Sequence, residues 1–210
     1  MITGAEFLIY VKAKLNRLDT NAYADIRDEF IFLMAQDAIK FLVLQYDTGQ
    51  TTKGTDQASL NNYLASITKT GSKDLADNAV DLPNDILKIK DMVVNVKVDS
   101  EEGFVSALEF TNHKISQKES NYFSESKAYE PTYRLIDNKI KFITKKILDE
   151  SANFICTKIK YEYLEQPEMF NSSSQIELPF IQELEDRTVT LILENLEQQR
   201  LGSQPQVTQI

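Results

Sequence analysis

A chain of 210 residues with 42% hydrophobic content is long enough for one large domain, or one domain with a subdomain, and apolar enough to bury a real core. Its formal net charge of −9 sets the protein as a whole against phosphate, which disfavours a conventional nucleic-acid binder. Cys156 is the only cysteine, so an intramolecular disulfide framework and a Cys-rich zinc site are excluded and folding rests on packing.

The opening Met-Ile-Thr-Gly-Ala-Glu has no basic region leading into a cleavable apolar stretch, so synthesis and folding are expected in the cytoplasm. Phe7, Leu8, Val11, Leu15 and Leu18 then recur at the three-and-four spacing of one helical face. After a capping cluster at Asp19 to Asn21, a second face is predicted from Ile26, Phe30, Leu33, Met34, Phe41 and Leu42, over about six turns. Its most apolar part, Phe30 to Leu44, is interrupted by Gln36, Asp37 and Lys40 and falls short of the roughly 20 residues that span a bilayer. Gly49 to Gly54 reads as a polar loop, and Leu60, Tyr63, Leu64 and Ile67 as a third helix ending near Gly71.

Beyond Leu82-Pro83 the period changes. Met92, Val94, Val96 and Val98 alternate with polar or outward residues, the signature of a half-buried strand. Further strands are expected around Val105 to Phe110 and Tyr133 to Ile143. Ile155, Thr157, Ile159, Tyr161 and Tyr163 alternate with Cys156, Lys158, Lys160 and Glu162, so an antiparallel sheet with one wet face follows. Pro167 ends that strand and Asn171 to Ser174 makes an exposed loop. Pro179 fits a first helical turn, where its missing N–H costs nothing. The helix it opens is expected to turn Ile181, Leu184, Leu191, Ile192 and Leu196 inward, with Glu183, Glu185, Asp186, Glu194 and Glu197 in water. Gly202 to Ile210 has no periodicity and is expected to be flexible. The fold class is α+β: a helical bundle from both chain ends, residues 5–70 and 176–200, an inserted antiparallel β-rich region at 82–165, and a flexible tail at 201–210.

Chemistry is sparse. His113, the single histidine, sits beside Lys114 between apparent strands, whereas nucleophilic catalysis needs an imidazole held by a carboxylate and facing its nucleophile. Cys156 reads as an inert small residue without a histidine partner. No calcium loop, phosphate-binding glycine run, dinucleotide glycine pattern or paired-histidine helix occurs, so no catalytic residue, cofactor or metal site is assigned. One contrast in charge stands out. Lys139 to Lys160 carries six lysines against two acids, and Gln175 to Arg200 six acids against two arginines. Lys145, Lys146, Lys158 and Lys160 on one side and Glu183, Glu185 and Asp186 on the other are therefore candidate contacts between neighbouring copies, head to tail; two solvated faces are the alternative.

The order of signals resembles the head-to-tail connectors, adaptor or ring proteins, of tailed bacteriophages, especially short-tailed and crAss-like phages. The resemblance covers residues 5 to 200. It lies in a helical amino-terminal half, Asp81-Leu82-Pro83-Asn84-Asp85 before a strand, and Tyr133-Arg134-Leu135 with Asn138-Lys139-Ile140 in mid-chain. It continues in Ile159-Lys160-Tyr161-Glu162-Tyr163, which leads through Pro167 to Glu177-Leu178-Pro179, a helix and a polar tail. It implies a structural protein of the virion with no cofactor: a homo-oligomer, commonly a dodecamer, beneath the portal protein and in contact with further tail or ring proteins. Genomic DNA passes through the ring without sequence recognition, and no membrane is involved. Leu201, Val207 and Ile210 then become candidate portal-docking residues. Two other classes stay open on the residues themselves: another oligomeric tail-hub or capsid-associated component, and a cytoplasmic enzyme.

Overall fold

Thr3 and Glu6 stand three residues apart ahead of an apolar-periodic run, and in the computed structural model they close a capping box. The Thr3 N–H donates to Glu6 Oε2 at 2.7 Å and the Glu6 N–H to Thr3 Oγ1 at 3.2 Å, which sets the start of α1, Gly4–Leu18. The structure describes residues 1–18, 26–50, 56–98, 101–109, 131–136, 138–143 and 154–202. Four helices and several antiparallel ladders lie among them, a mixed α+β fold. The chain divides into two units: Met1–Ser66 with Pro167–Ile210, and Ile67–Gln166.

In the first unit α1 is joined by α2 (Asp28–Asp47), α3 (Gln57–Ile67) and α4 (Ile181–Gly202). Phe7, Leu8, Val11 and Leu15 are buried, as the spacing predicts. The phase of α2 differs from expectation: Ile31, Ala35, Ala38, Leu42 and Tyr46 point inward, while Leu33 and Phe41 stand 48% and 47% exposed. Apolar residues run most of the way round this helix, so periodicity alone does not select its inner side. Helix α4 begins two residues after Pro179, following a turn, and the Leu184 N–H bonds the Phe180 carbonyl at 2.9 Å. The Phe180 ring lies 5.2 Å from that of Tyr46 and 5.4 Å from that of Tyr63, so the residue that starts α4 is anchored by α2 and α3. The inward stripe of α4 also differs from the predicted one: Leu184, Thr188, Val189 and Ile192 are buried, and so is Glu185, a residue its sequence position puts in water.

The amino terminus is tied to the segment before α4. β1 (Ile2–Thr3) pairs antiparallel with β10 (Gln175–Ile176), and the Gly4 and Ala5 N–H groups donate to the Ser174 and Ser172 carbonyls at 2.8 and 3.0 Å. A Cβ at Gly4 would stand 1.9 Å from the Asn171 carbonyl oxygen, so only glycine permits this approach.

Among the described residues the second unit holds two four-stranded sheets. One has the order β2 (Thr68–Asp74), β9 (Ile155–Glu165), β4 (Ile86–Val98), β5 (Glu101–Ser106); the other β3 (Ala79–Asp81), β8 (Lys139–Ile143), β7 (Thr132–Ile136), β6 (Leu108–Glu109). They share one core that includes Met92, Val94, Val96, Ile159 and Tyr161 from the first and Tyr133, Ile140 and Phe142 from the second. Three expectations change here. The third helix stops at Ile67, and Thr68–Asp74, which lacks helical apolar spacing, becomes an edge strand with Gly71 opposite Tyr161. Tyr133 to Ile143 is a hairpin rather than one strand, turned by Asn138 at φ 60°. The alternation of β9 breaks at its start: a register shift beside Asn95 and Val96 turns Cys156 inward, at 1% exposed, and leaves Ile155 at 57%.

The connection from β2 to β3 is a tight two-residue turn. Asp77 and Asn78 have φ of 52° and 59°, the left-handed pair a type I′ turn demands, and Ala76 and Ala79 exchange hydrogen bonds at 3.0 and 2.9 Å. Gly71 permits the Tyr161 ring to lie across β2, since a Cβ there would meet that ring at 2.4 Å.

Candidate functional site

Of the lysines singled out by charge, Lys158 and Lys160 lie on the wet face of the β2-β9-β4-β5 sheet, because residues paired across an antiparallel ladder share a face. Lys158 sits 3.7 Å from Asp74 of β2, and the Lys160 ammonium lies 4.3 Å above the Phe104 ring of β5. Lys90 approaches Glu162 at 3.7 Å, and Lys69 approaches Glu165 at 3.8 Å. Each of these cations therefore has a partner inside the unit. Such exposed pairs contribute about 0–1 kcal/mol apiece, but together they damp the positive field that the sequence excess suggests. Between Lys160, Glu162, Asp91, Val93, Thr70 and Ser72 runs an open groove of about 430 Å³, polar at its rim and floored by the ladder around Gly71 and Tyr161.

The acids on α4 are also engaged locally. Lys14 of α1 reaches Glu185 Oε2 at 2.8 Å and Asp186 Oδ1 at 2.6 Å. Burial on its own lowers the Lys14 pKa, but hydrogen bonds to Asp186 and Glu185, and their charges, more than reverse this and hold it above the ordinary lysine value. Glu183 is pushed above the ordinary carboxylate value, first by burial and then by the charge of Asp186. Glu185 and Asp186 are thus both paired within the first unit. Lys14 and Glu185 are 171 positions apart, and no spacing rule connects them.

The first unit also leaves some large apolar residues open. Ile9 and Tyr10 of α1 are 64% and 46% exposed, and on α2 the exposed Leu33 and Phe41 fall with half-buried Phe30 within one side of the helix at its 100° per residue, with the exposed Asp37 between them. The Arg187 guanidinium of α4 lies 4.4 Å over the Phe41 ring and 3.9 Å from Glu194. The predicted face of α2 has Leu33 and Phe41 in the core and so misses this stripe; the signal that finds it is the alternative set Ile31, Ala35, Ala38, Leu42 at the same helical spacing.

Lys145, Lys146, Val207, Ile210 and His113 lie outside the described residues, and Leu201 falls in the last turn of α4. Cys156 is buried and its thiol pKa is pushed up to about 12 by that burial. Among the described residues no group of three or more His, Cys, Asp and Glu side chains converges to hold a metal ion, and no helix is long and apolar enough to cross a membrane. No protein-family model and no curated protein matches the chain.

Proposed function

We propose that this chain is a structural protein of the virion that forms an oligomeric ring between portal and tail and surrounds the DNA channel. The resemblance in the order of sequence signals supplies the class, and the observation that carries self-assembly is the exposure of Leu33 and Phe41, with Phe30, on one side of α2 around the exposed Asp37. Two large exposed apolar residues aligned on one helix, with an arginine stacked on one of them, suit an interface better than a solvated face. In this reading the helices from both chain ends act as a bundle and ring body, and the β-rich unit is an insertion. The net charge of −9 fits a channel protein that lets DNA slide instead of stick.

The chain acts here by position and contact, not by catalysis. The test is co-assembly: the purified protein mixed with the cognate portal protein is expected to give a cyclic complex by electron microscopy, centred on the portal axis. Incorporation elsewhere in the particle would make the chain a different virion component. Absence from virions, together with no complex, would end the reading.

A further inference from the structure

We propose that the β2-β9-β4-β5 sheet of the second unit is continued by a second copy of this chain, with the outer edge of β5 pairing against the outer edge of β2 from the next copy. The proposal rests on the reading of the chain as a self-assembling ring subunit. It adds a second contact to the one at α2.

Every described ladder in this sheet is antiparallel, and the sheet has four described strands, so β2 and β5, the outer two of these, run in opposite directions. A copy set alongside in the same orientation therefore brings β2 antiparallel to β5, and the join repeats the pattern already present. The contact is heterologous, head to tail, which generates a ring when the rotation closes. No described strand pairs with either outer edge. Such edges are templates for pairing unless something blocks them.

Charge and pleat agree on a register. β2 carries Lys69 and Lys73, and β5 carries Glu101 and Glu102. Lysines on an edge normally discourage pairing, but against an acidic edge they select it. Val105 and Gly103 lie opposite the buried Val94 and Val96, and Gly71 lies opposite the buried Tyr161, so these three residues share the core side of the sheet. Setting Gly71 against Gly103 of the neighbouring copy keeps that side continuous. The same register puts Lys73 opposite Glu101 and Thr70 opposite Phe104, an ion pair and an aromatic on a β-branched residue, both favourable cross-strand neighbours. Thr70, Glu101 and Phe104 are exposed in the single chain. Lys73 donates to the Asp81 carbonyl at 2.7 Å and keeps two further donors for Glu101.

The experiment uses the full chain, alone and with the cognate portal protein, carrying Ser72→Cys and Glu102→Cys together. Both positions are exposed, and Cys156, 1% exposed, does not compete for reagent. Treatment with a short bis-maleimide is expected to give a ladder of covalent multimers, while either single variant stays largely uncross-linked; sedimentation reports assembly size in parallel. Separately, Lys73→Glu and Glu101→Lys are each expected to raise the half-assembly concentration at least about fivefold. Mixing the two variants is expected to restore assembly, because in alternation every junction regains an opposite pair, a result that misfolding cannot produce. Full-size assembly with no ladder and no response to either reversal overturns the edge pairing and leaves the ring reading standing. A chain that neither sediments as an oligomer nor cross-links, alone or with portal, overturns both.

Discussion

Asn78 Oδ1 accepts the backbone N–H of Cys156 at 2.8 Å, while the Asn78 carbonyl accepts the N–H of Phe142 at 2.9 Å. One turn residue therefore binds β9 of one sheet and β8 of the other. Asn78 also holds a left-handed φ of 59°, which asparagine tolerates better than most residues. Asn78→Ala is expected to lose about 2–4 kcal/mol, combining backbone strain with an orphaned amide, and Asn78→Gly about 1–3 kcal/mol, from the amide alone. Thermal or denaturant melts of the two variants separate the contributions; equal melts for both and the parent would show the turn to be replaceable.

Gly4 and Gly103 offer a steric contrast. A methyl at Gly4 collides with the Asn171 carbonyl, whereas one at Gly103 meets nothing within 4 Å. Gly4→Ala is expected to destabilise the first unit by about 1–3 kcal/mol, and Gly103→Ala to be neutral or stabilising by up to about 1 kcal/mol. Denaturant midpoints check the pair, and the reverse order would refute the geometry at Asn171.

Lys14→Met leaves Glu185 with its carboxylate side chain only 10% exposed and its cation gone. The expected loss is about 1–3 kcal/mol at pH 7, below the figure for a fully buried pair because Lys14 is itself 30% exposed. The Lys14 pKa is raised above 10.5 in the folded chain. Its stabilisation is therefore fully present below 10.5 and disappears as pH rises through the raised value. The stability gap between parent and Lys14→Met is expected to be constant from neutral pH to about 10 and to narrow above it, as followed by urea melts at each pH. A gap that widened with alkali would contradict the placement.

The buried Cys156 thiol, with its pKa at about 12, is expected to resist thiol reagents in the native chain at about pH 8 and to react within seconds in denaturant. Labelling followed by intact mass measures this directly. Rapid native labelling would mean that β9 opens at its start.

The elements legible in the sequence are those where one side is wet and the other dry. Phe7 to Leu15 on α1 and Met92 to Val96 on β4 have that contrast, and burial follows it. Where the contrast fails, so does the reading. α2 is apolar on most of its circumference, and its phase depends on neighbours that periodicity does not name. β2, Thr-Lys-Thr-Gly-Ser-Lys-Asp, has almost no apolar pattern and is a strand because β9 pairs with it. The candidate charges are visible in the sequence, but their partners are not: Lys14 meets Glu185 and Lys158 meets Asp74 only once the chain is folded.

The second unit enters and leaves the chain through neighbouring strands, for Thr68, one residue into it, lies opposite Leu164, near its end. Tension between its two ends would load the β2–β9 ladder from that end, so its hydrogen bonds would break in succession instead of sharing the force. Pulled this way the unit opens like a zip at low force, whereas a pull along the strands would shear the whole ladder at once. Removing residues 67–166 would leave a gap whose two ends adjoin the paired Thr68 and Leu164, a distance that a short turn would span.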